Sequence, residues 1–214
     1  MKPEISSNLD TIKDKSFNKT EITNTIKQND HFKVIYRDAK IEDVSVIVEI
    51  NIRTWQSAYK GIFPDVFLEA LPERKQDRIQ ATIADFGTRM VEGRFERKVV
   101  AEVDGTVVGY ASYGACREVE VYGLSNVGEI YALYIYDDYQ GYGIGKGLVS
   151  YAAEKLNRLE GDVSLLIWAL ERNPYRGFYE KLGGDARFTK QFTLLDVKYE
   201  EVGYFYERIE RLYD

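Results

Sequence analysis

The sequence predicts a mixed α/β or α+β domain built around one twisted sheet. Three observations carry that expectation. Apolar residues recur at steps of three and four in two separate stretches, the spacing of amphipathic helices. Around them lie short runs rich in β-branched and aromatic residues, which read as strands. Glycine and proline punctuate the boundaries, most sharply at Asp104-Gly105, a two-residue hairpin signal.

Phe32 to Arg37 opens the fold as a strand. Val44, Ile47, Val48, Asn51, Trp55, Ala58 and Tyr59 then mark one face of a helix, which Gly61 ends. Pro64 opens a second helix running to Leu71, and Pro72 starts a third that reaches about Phe86. Lys98–Val103 and Thr106–Tyr113 are strands joined at Asp104-Gly105, and Val127–Tyr136 is another. A helix follows from about Gly143, its Ile144, Leu148, Ala152 and Leu156 spaced by four. Ser164–Leu170 reads as a buried strand, Asn173–Leu182 as a short helix stopped by Gly183-Gly184, and Phe192–Arg208 as one or two closing strands.

With 214 residues, 44% hydrophobic and 30% charged, the chain has the make-up of an ordinary globular domain with a real core. A formal net charge of −6 argues against a nucleic-acid partner and leaves room for a cationic one, although the same acidity also serves solubility. No apolar run approaches the ~18 residues of a membrane span, and MKPEISSNLD lacks a signal-peptide core. A cytoplasmic protein with no membrane partner is expected. The single cysteine, Cys116, is expected to be an inert thiol. The single histidine, His31, excludes zinc sites built on several Cys and His ligands, and any Ser-His-Asp triad would need that residue. A general base is therefore expected to be a carboxylate, a tyrosine or a water, and no metal is expected. Residues 1–31 form a polar arm that buries too little apolar surface to fold alone. The expectation is a short helix held against the domain or against a neighbouring subunit, the latter giving a homodimer.

Gly141-Tyr142-Gly143-Ile144-Gly145-Lys146-Gly147 lies between a strand and a helix, where backbone N–H groups and the helix N-terminus favour phosphate. Two familiar phosphate loops fail on spacing. A P-loop needs a glycine where Gln140 stands and Ser or Thr where Gly147 stands. A G-x-G-x-x-G fingerprint meets Lys146 in one register and Leu148 in the other. A plain glycine-rich turn remains open at this point.

The run Gln140-x-x-Gly143-x-Gly145, preceded by Glu129-Ile130-Tyr131-Ala132-Leu133-Tyr134-Ile135, resembles the cofactor segment of the GNAT superfamily of N-acetyltransferases. A second segment, Asn173-Pro174-Tyr175-Arg176-Gly177-Phe178-Tyr179-Glu180-Lys181-Leu182-Gly183-Gly184, follows in the family's order. Its spacing from Asn173 to Tyr179 is one residue shorter than in many members. Alone, this stretch would read as an amphipathic helix with a core face. Weaker likenesses appear at Ile35–Ala39 and Thr54–Pro64, and the resemblance spans roughly residues 33–208.

The resemblance implies one domain over residues 32–214. Its central mixed, mostly antiparallel twisted sheet would be flanked by helices, with strands splayed at the acyl-CoA site. It implies acetyl-CoA as co-substrate, without a metal, and transfer to a primary amine of a small molecule or peptide by direct attack on the thioester. Strand residues Leu133, Tyr134 and Ile135 would pair with the pantetheine arm. The loop Gln140, Gly141, Tyr142, Gly143, Ile144, Gly145 and Lys146 would hold the pyrophosphate, and Asn173 would touch the pantetheine region. Tyr179 is the expected acid for the leaving thiolate and Glu129 the candidate base, directly or through water. Glu129 reads nearly as well as a solvated or ion-paired carboxylate. Trp55 and Tyr59, four apart on the first helix, are candidates for the acceptor site and equally for the core. A non-catalytic acyl-CoA-binding regulator is the alternative, against which Tyr179 weighs because sensing needs no proton donor.

Overall fold

A computed structural model describes residues 33–213 except Glu92, Val119, Val121, Gly161 and Asp162. The polar arm expected over residues 1–31, with His31 in it, lies outside the described residues, as does Phe32.

Strand β1 (Val34–Asp38) leads into helix α1 (Val44–Ala58), then α2 (Asp65–Ala70) and α3 (Lys75–Asp85). A two-residue hairpin, β2 (Met90–Val91) with β3 (Arg94–Phe95), precedes β4 (Arg97–Val103) and β5 (Thr106–Ala115). Then come β6 (Val127–Ile135), α4 (Ile144–Glu160), β7 (Ser164–Leu170), α5 (Arg176–Lys181), β8 (Asp185–Leu194) and β9 (Val197–Tyr206). The main sheet has seven strands in the order β1-β4-β5-β6-β7-β9-β8. Every neighbouring pair is antiparallel except β6 and β7. Helices flank this mixed, mostly antiparallel sheet, as expected.

Sequence pattern explains the layers. Val44, Ile47, Val48 and Ile52 form the apolar stripe of α1, each no more than 4% exposed. Burying each of those side chains stabilises by about 1.5–3 kcal/mol before conformational costs. Ile144, Leu148, Ala152 and Leu156 do the same for α4, which packs on β4, β5 and β6. Below α1 the Arg37 guanidinium grips both carboxylate oxygens of Asp43 at 2.7 and 3.0 Å and donates a third bond to Glu102. This clamp ties β1 to the turn that launches α1.

Several boundaries differ from the sequence expectation. Pro72 restarts the chain as a 3-10 turn, Pro72–Arg74, before α3. The helix expected over Asn173–Leu182 begins only at Arg176, because the Asn173 Oδ1 accepts the Tyr175 N–H at 2.9 Å in a local turn. The tail gives two long strands, and β8 starts at Asp185, well before Phe192. Leu195 and Asp196 both take positive φ, 49° and 60°, in the two-residue loop joining β8 to β9. The Asp104-Gly105 hairpin forms as expected, with φ of 49° and 81°. Cys116 is 1% exposed, and burial pushes its thiol up to about 11. Among the described residues no helix is long and apolar enough to cross a membrane, and no His/Cys/Asp/Glu cluster is placed to hold a metal.

Candidate active site

The sheet opens at its centre. Strand β6 pairs with β5 along its full length, through Gly109↔Ile135, but with β7 only through Val127–Ile130. Beyond Ile130 the β7-facing backbone edge of β6, Tyr131–Ile135, has no ladder partner among the described residues. The divergence begins at a bulge. Ser112 faces Ala132 and Tyr113 faces Ile130, so Tyr131 is the extra residue. A cleft of about 640 Å³ fills the gap, lined by residues 130–135 of β6 and residues 167–170 of β7.

At one end of the cleft, Gln140, Gly141, Gly143, Gly145 and Lys146 form its wall. Gly141 and Gly143 take φ of 84° and 79°, the left-handed region that side chains rarely adopt, with open space where a Cβ would stand. The Gln140 side-chain amide donates to the Ile135 carbonyl at 3.1 Å, fixing the loop to the end of β6. The Gly147 N–H bonds the Gly143 carbonyl at 3.1 Å. The amides just before it begin α4 and lack helical partners, as at any helix N-terminus. Converging N–H groups and the helix dipole suit an anion here. Tyr142 and Ile144, also expected in this site, are not in the cleft wall. Ile144 is 1% exposed beneath α4.

Asn173 and Tyr179 line the cleft from the α5 region. Tyr179 is 8% exposed, its ring stacked on Tyr204 at 5.2 Å, and burial raises its hydroxyl pKa. That hydroxyl has no hydrogen bond to a described residue.

The far end is walled by Trp55, Tyr59, Tyr134, Phe63 and Phe192. Trp55 meets Tyr59 edge-on at 5.2 Å, and both pack with the apolar cluster beneath α1. They are core and cleft wall at once. Glu201 of β9 lines this end too. Its carboxylate is 18% exposed, accepts no hydrogen bond from a described residue, and lies 3.8 Å from Lys190, which is itself bound to Glu118 at 3.0 Å. Burial raises the Glu201 pKa above the usual carboxylate range. Burial also raises Tyr59 and Tyr134, and the nearby Glu201 charge adds to both shifts.

Glu129 stands apart. It is 1% exposed and does not line the cleft. Its Oε2 accepts the Arg117 backbone N–H at 3.0 Å, and its Oε1 accepts from Nε at 3.0 Å and from Nη2. Arg117, in turn, lines the cleft and lies over the Tyr131 ring at 4.7 Å. This placement suits a residue that positions Arg117 better than one that meets a substrate. Glu201 and Arg117 escaped the sequence reading because nothing in their local pattern distinguishes them from solvated charges.

Known proteins share this architecture. The family model described as "Acetyltransferase (GNAT) family" matches residues 52–184, from α1 through α5. A Bacillus subtilis protein described as the uncharacterized N-acetyltransferase YuaI is 31% identical over 172 residues, 79% of this chain and 91% of the relative. The PaiA N-acetyltransferase of Thermoplasma acidophilum, solved in complex with coenzyme A, gives a TM-score of 0.57 at 17% identity. It covers 79% of this chain and 98% of its own. The yncA acetyltransferase of Salmonella typhimurium, solved with its cofactor acetyl-CoA, gives 0.54 at 18% identity, over 81% of this chain and 92% of its own. At such identities the two structural likenesses speak to fold alone.

Proposed function

This chain belongs to the acetyltransferase (GNAT) family and is an acyltransferase, and on that premise we propose that it moves an acetyl group from acetyl-CoA to a primary amine of a small molecule or peptide by direct attack on the thioester. One observation carries the reading. The anion-suited loop, the unpaired edge of β6, the Tyr179 ring and the Glu201 carboxylate all belong to a single cleft. The coenzyme A and acetyl-CoA named in the PaiA and yncA structures support the choice of co-substrate.

The residues present fit that co-substrate. Gly141 and Gly143 let backbone approach a pyrophosphate, and Lys146 adds a positive charge on the same wall. The unpaired N–H and C=O groups of β6 around Leu133 and Ile135 match the amides of an extended arm, as in strand addition. Asn173 lines the adjoining wall.

When bound, acetyl-CoA supplies an activated acetyl thioester. Glu201 takes a proton from the acceptor ammonium, directly or through water, and the freed amine forms the C–N bond at the thioester carbonyl. Backbone N–H groups of β6 polarise the carbonyl oxygen. As the C–S bond breaks, Tyr179 gives its proton to the departing thiolate. As phenolate it recovers the second proton, which the new amide nitrogen must lose, while Glu201 passes the first to water. The raised pKa of Tyr179 keeps its proton in place until the thiolate forms. The base role falls to Glu201 and not to Glu129, whose two oxygens are already held by Arg117. Trp55 and Tyr59 would shape the acceptor end.

Thiol release from acetyl-CoA across a panel of amines tests the proposal. Release that depends on an amine and yields its acetylated product is the expected result. Tight acetyl-CoA binding without thiol release for any amine would favour a regulator that only senses acyl-CoA.

A further inference from the structure

A second cavity of about 440 Å³ lies beside the cleft and shares Arg117, Tyr131 and Ala132 with it as common walls. Its other walls come from α1, α3, β4 and β5. Nothing in the transfer chemistry above uses it.

Its charges are unevenly matched. Four cations line it, Arg78, Arg89, Lys98 and Arg117, against the carboxylates Glu96 and Asp85. Glu96 is saturated. Its carboxylate is 6% exposed, accepts from Ser112 at 2.6 Å and from Lys98, and is ion-paired with Arg89 at 3.1 Å. Glu129 holds Arg117. Arg78 is different, because its one side-chain partner among the described residues is the neutral Oδ1 of Asn51. Asp85 stands seven residues further along α3, a rise of about 10 Å, and makes no ion pair among the described residues. Arg78 is thus a half-buried guanidinium whose charge meets no carboxylate among the described residues.

The guanidinium is also held in place. Asn51 is 9% exposed and donates its side-chain amide to the Tyr110 hydroxyl at 3.2 Å while accepting from Arg78. The charge reaches the transfer cleft, since burial raises both the Tyr110 and Tyr134 hydroxyls and Arg78 draws each partway back. Tyr134 lines the acceptor end of that cleft. The shared walls Arg117, Tyr131 and Ala132 place this fixed cation in a cavity that adjoins the transfer cleft. A planar guanidinium fork matches carboxylate and phosphate oxygens.

We infer that the second cavity holds the anionic end of the acceptor, a carboxylate or phosphate on the same molecule as the reacting amine, with Arg78 as its anchor. The inference rests on reading the neighbouring cleft as the transfer site. It narrows the acceptor class to amines that carry an acidic group at a distance. The overall negative charge of the protein does not oppose this, because recognition occurs at a local positive site.

Calorimetric titration of the CoA-loaded protein tests it. The probes are ω-aminoalkanoates of graded length, the matching ω-aminoalkyl phosphates, and n-alkylamines as uncharged-tail references. In the native protein at least one anionic series should bind about tenfold or more tightly than the reference of equal length, the scale of a charge-assisted hydrogen bond. The series that shows this advantage distinguishes carboxylate from phosphate. In Arg78→Gln the advantage should fall to about one, and Arg78→Lys should restore part of it. Equal binding of anionic and reference amines, or an advantage that survives Arg78→Gln, would overturn the inference. Turnover separates the two readings. If reference amines are acetylated while anionic tails confer nothing, only the anchor is lost. If no amine is acetylated, the transfer reading falls, and the binding ratio still judges the anchor.

Discussion

Burial raises the pKa of both Tyr179 and Glu201, with opposite consequences for the reaction. Tyr179 keeps its proton and can serve as an acid. Tyr179→Phe removes one oxygen and preserves the stack on Tyr204, so unfolding should barely change. Its single-turnover rate is expected to fall by roughly 10- to 10³-fold. Glu201 becomes a stronger base, and kcat/KM should fall as pH drops through its raised pKa. Glu201→Gln is expected to lose that acid limb and to run slower on the order of 10²-fold or more. The stability effect has the reverse sense. The folded state binds the Glu201 proton more tightly than the unfolded chain does, so this group lowers stability as pH rises from the usual carboxylate range through its raised pKa. Denaturant unfolding of Glu201→Gln above that window should therefore show no loss of stability. Glu129→Gln separates the two carboxylates. It weakens the grip on Arg117 and should cost about 1–3 kcal/mol of stability while leaving the acid limb of the rate profile in place. A lost limb in Glu129→Gln, with Glu201→Gln unaffected, would reverse the assignment. The role of Glu201 was not legible in the sequence, whereas an ion-paired Glu129 was one of the two readings its position offered. Glu200 and Glu201 look alike as letters, and only the packing of β9 against the cleft turns one of them inward.

Among the elements, the loop between β6 and α4 was the clearest in sequence, because glycine spacing reports directly on backbone torsions. Gly143→Val forces a β-branched side chain onto a φ of 79°. Calorimetry should show weakened acetyl-CoA binding in a protein that still folds, and unchanged affinity would remove the loop from the site. The Asp104-Gly105 hairpin was legible for the same reason. The turn at Leu195-Asp196 adopts the same class of torsions without a glycine and so gave no signal. Strand β8 was hidden as well. Its first residues, Asp185 to Arg187, are all exposed, so no buried face marked its start. The bulge at Tyr131 and the splay it begins leave no mark on residue periodicity, although they create the cleft. The splay was expected only through the family resemblance, and the bulge was not expected. The early residues of α5 were misread as helix because the turn at Asn173 competes with helical pairing.

At the scale of the whole molecule, the described residues that line the cleft run from Thr54 to Glu201. A truncated chain starting at Phe32 should therefore still bind acetyl-CoA, and loss of binding in a folded truncation would show that the polar segment belongs to the site. The fold class and the layering of helices on the sheet followed from apolar spacing. The acceptor did not, because its pocket is assembled from α1, α5, β6, β8 and β9, which meet only in three dimensions. The central claim is direct transfer from thioester to amine in this one cleft. The measurement that tests it most directly follows isotopically labelled acetyl groups by mass spectrometry while thiol release is counted. The account predicts one labelled acetyl on the amine nitrogen for every thiol released, with none retained on the protein. Label found in free acetate, or on a side chain of the protein as an intermediate, would contradict it.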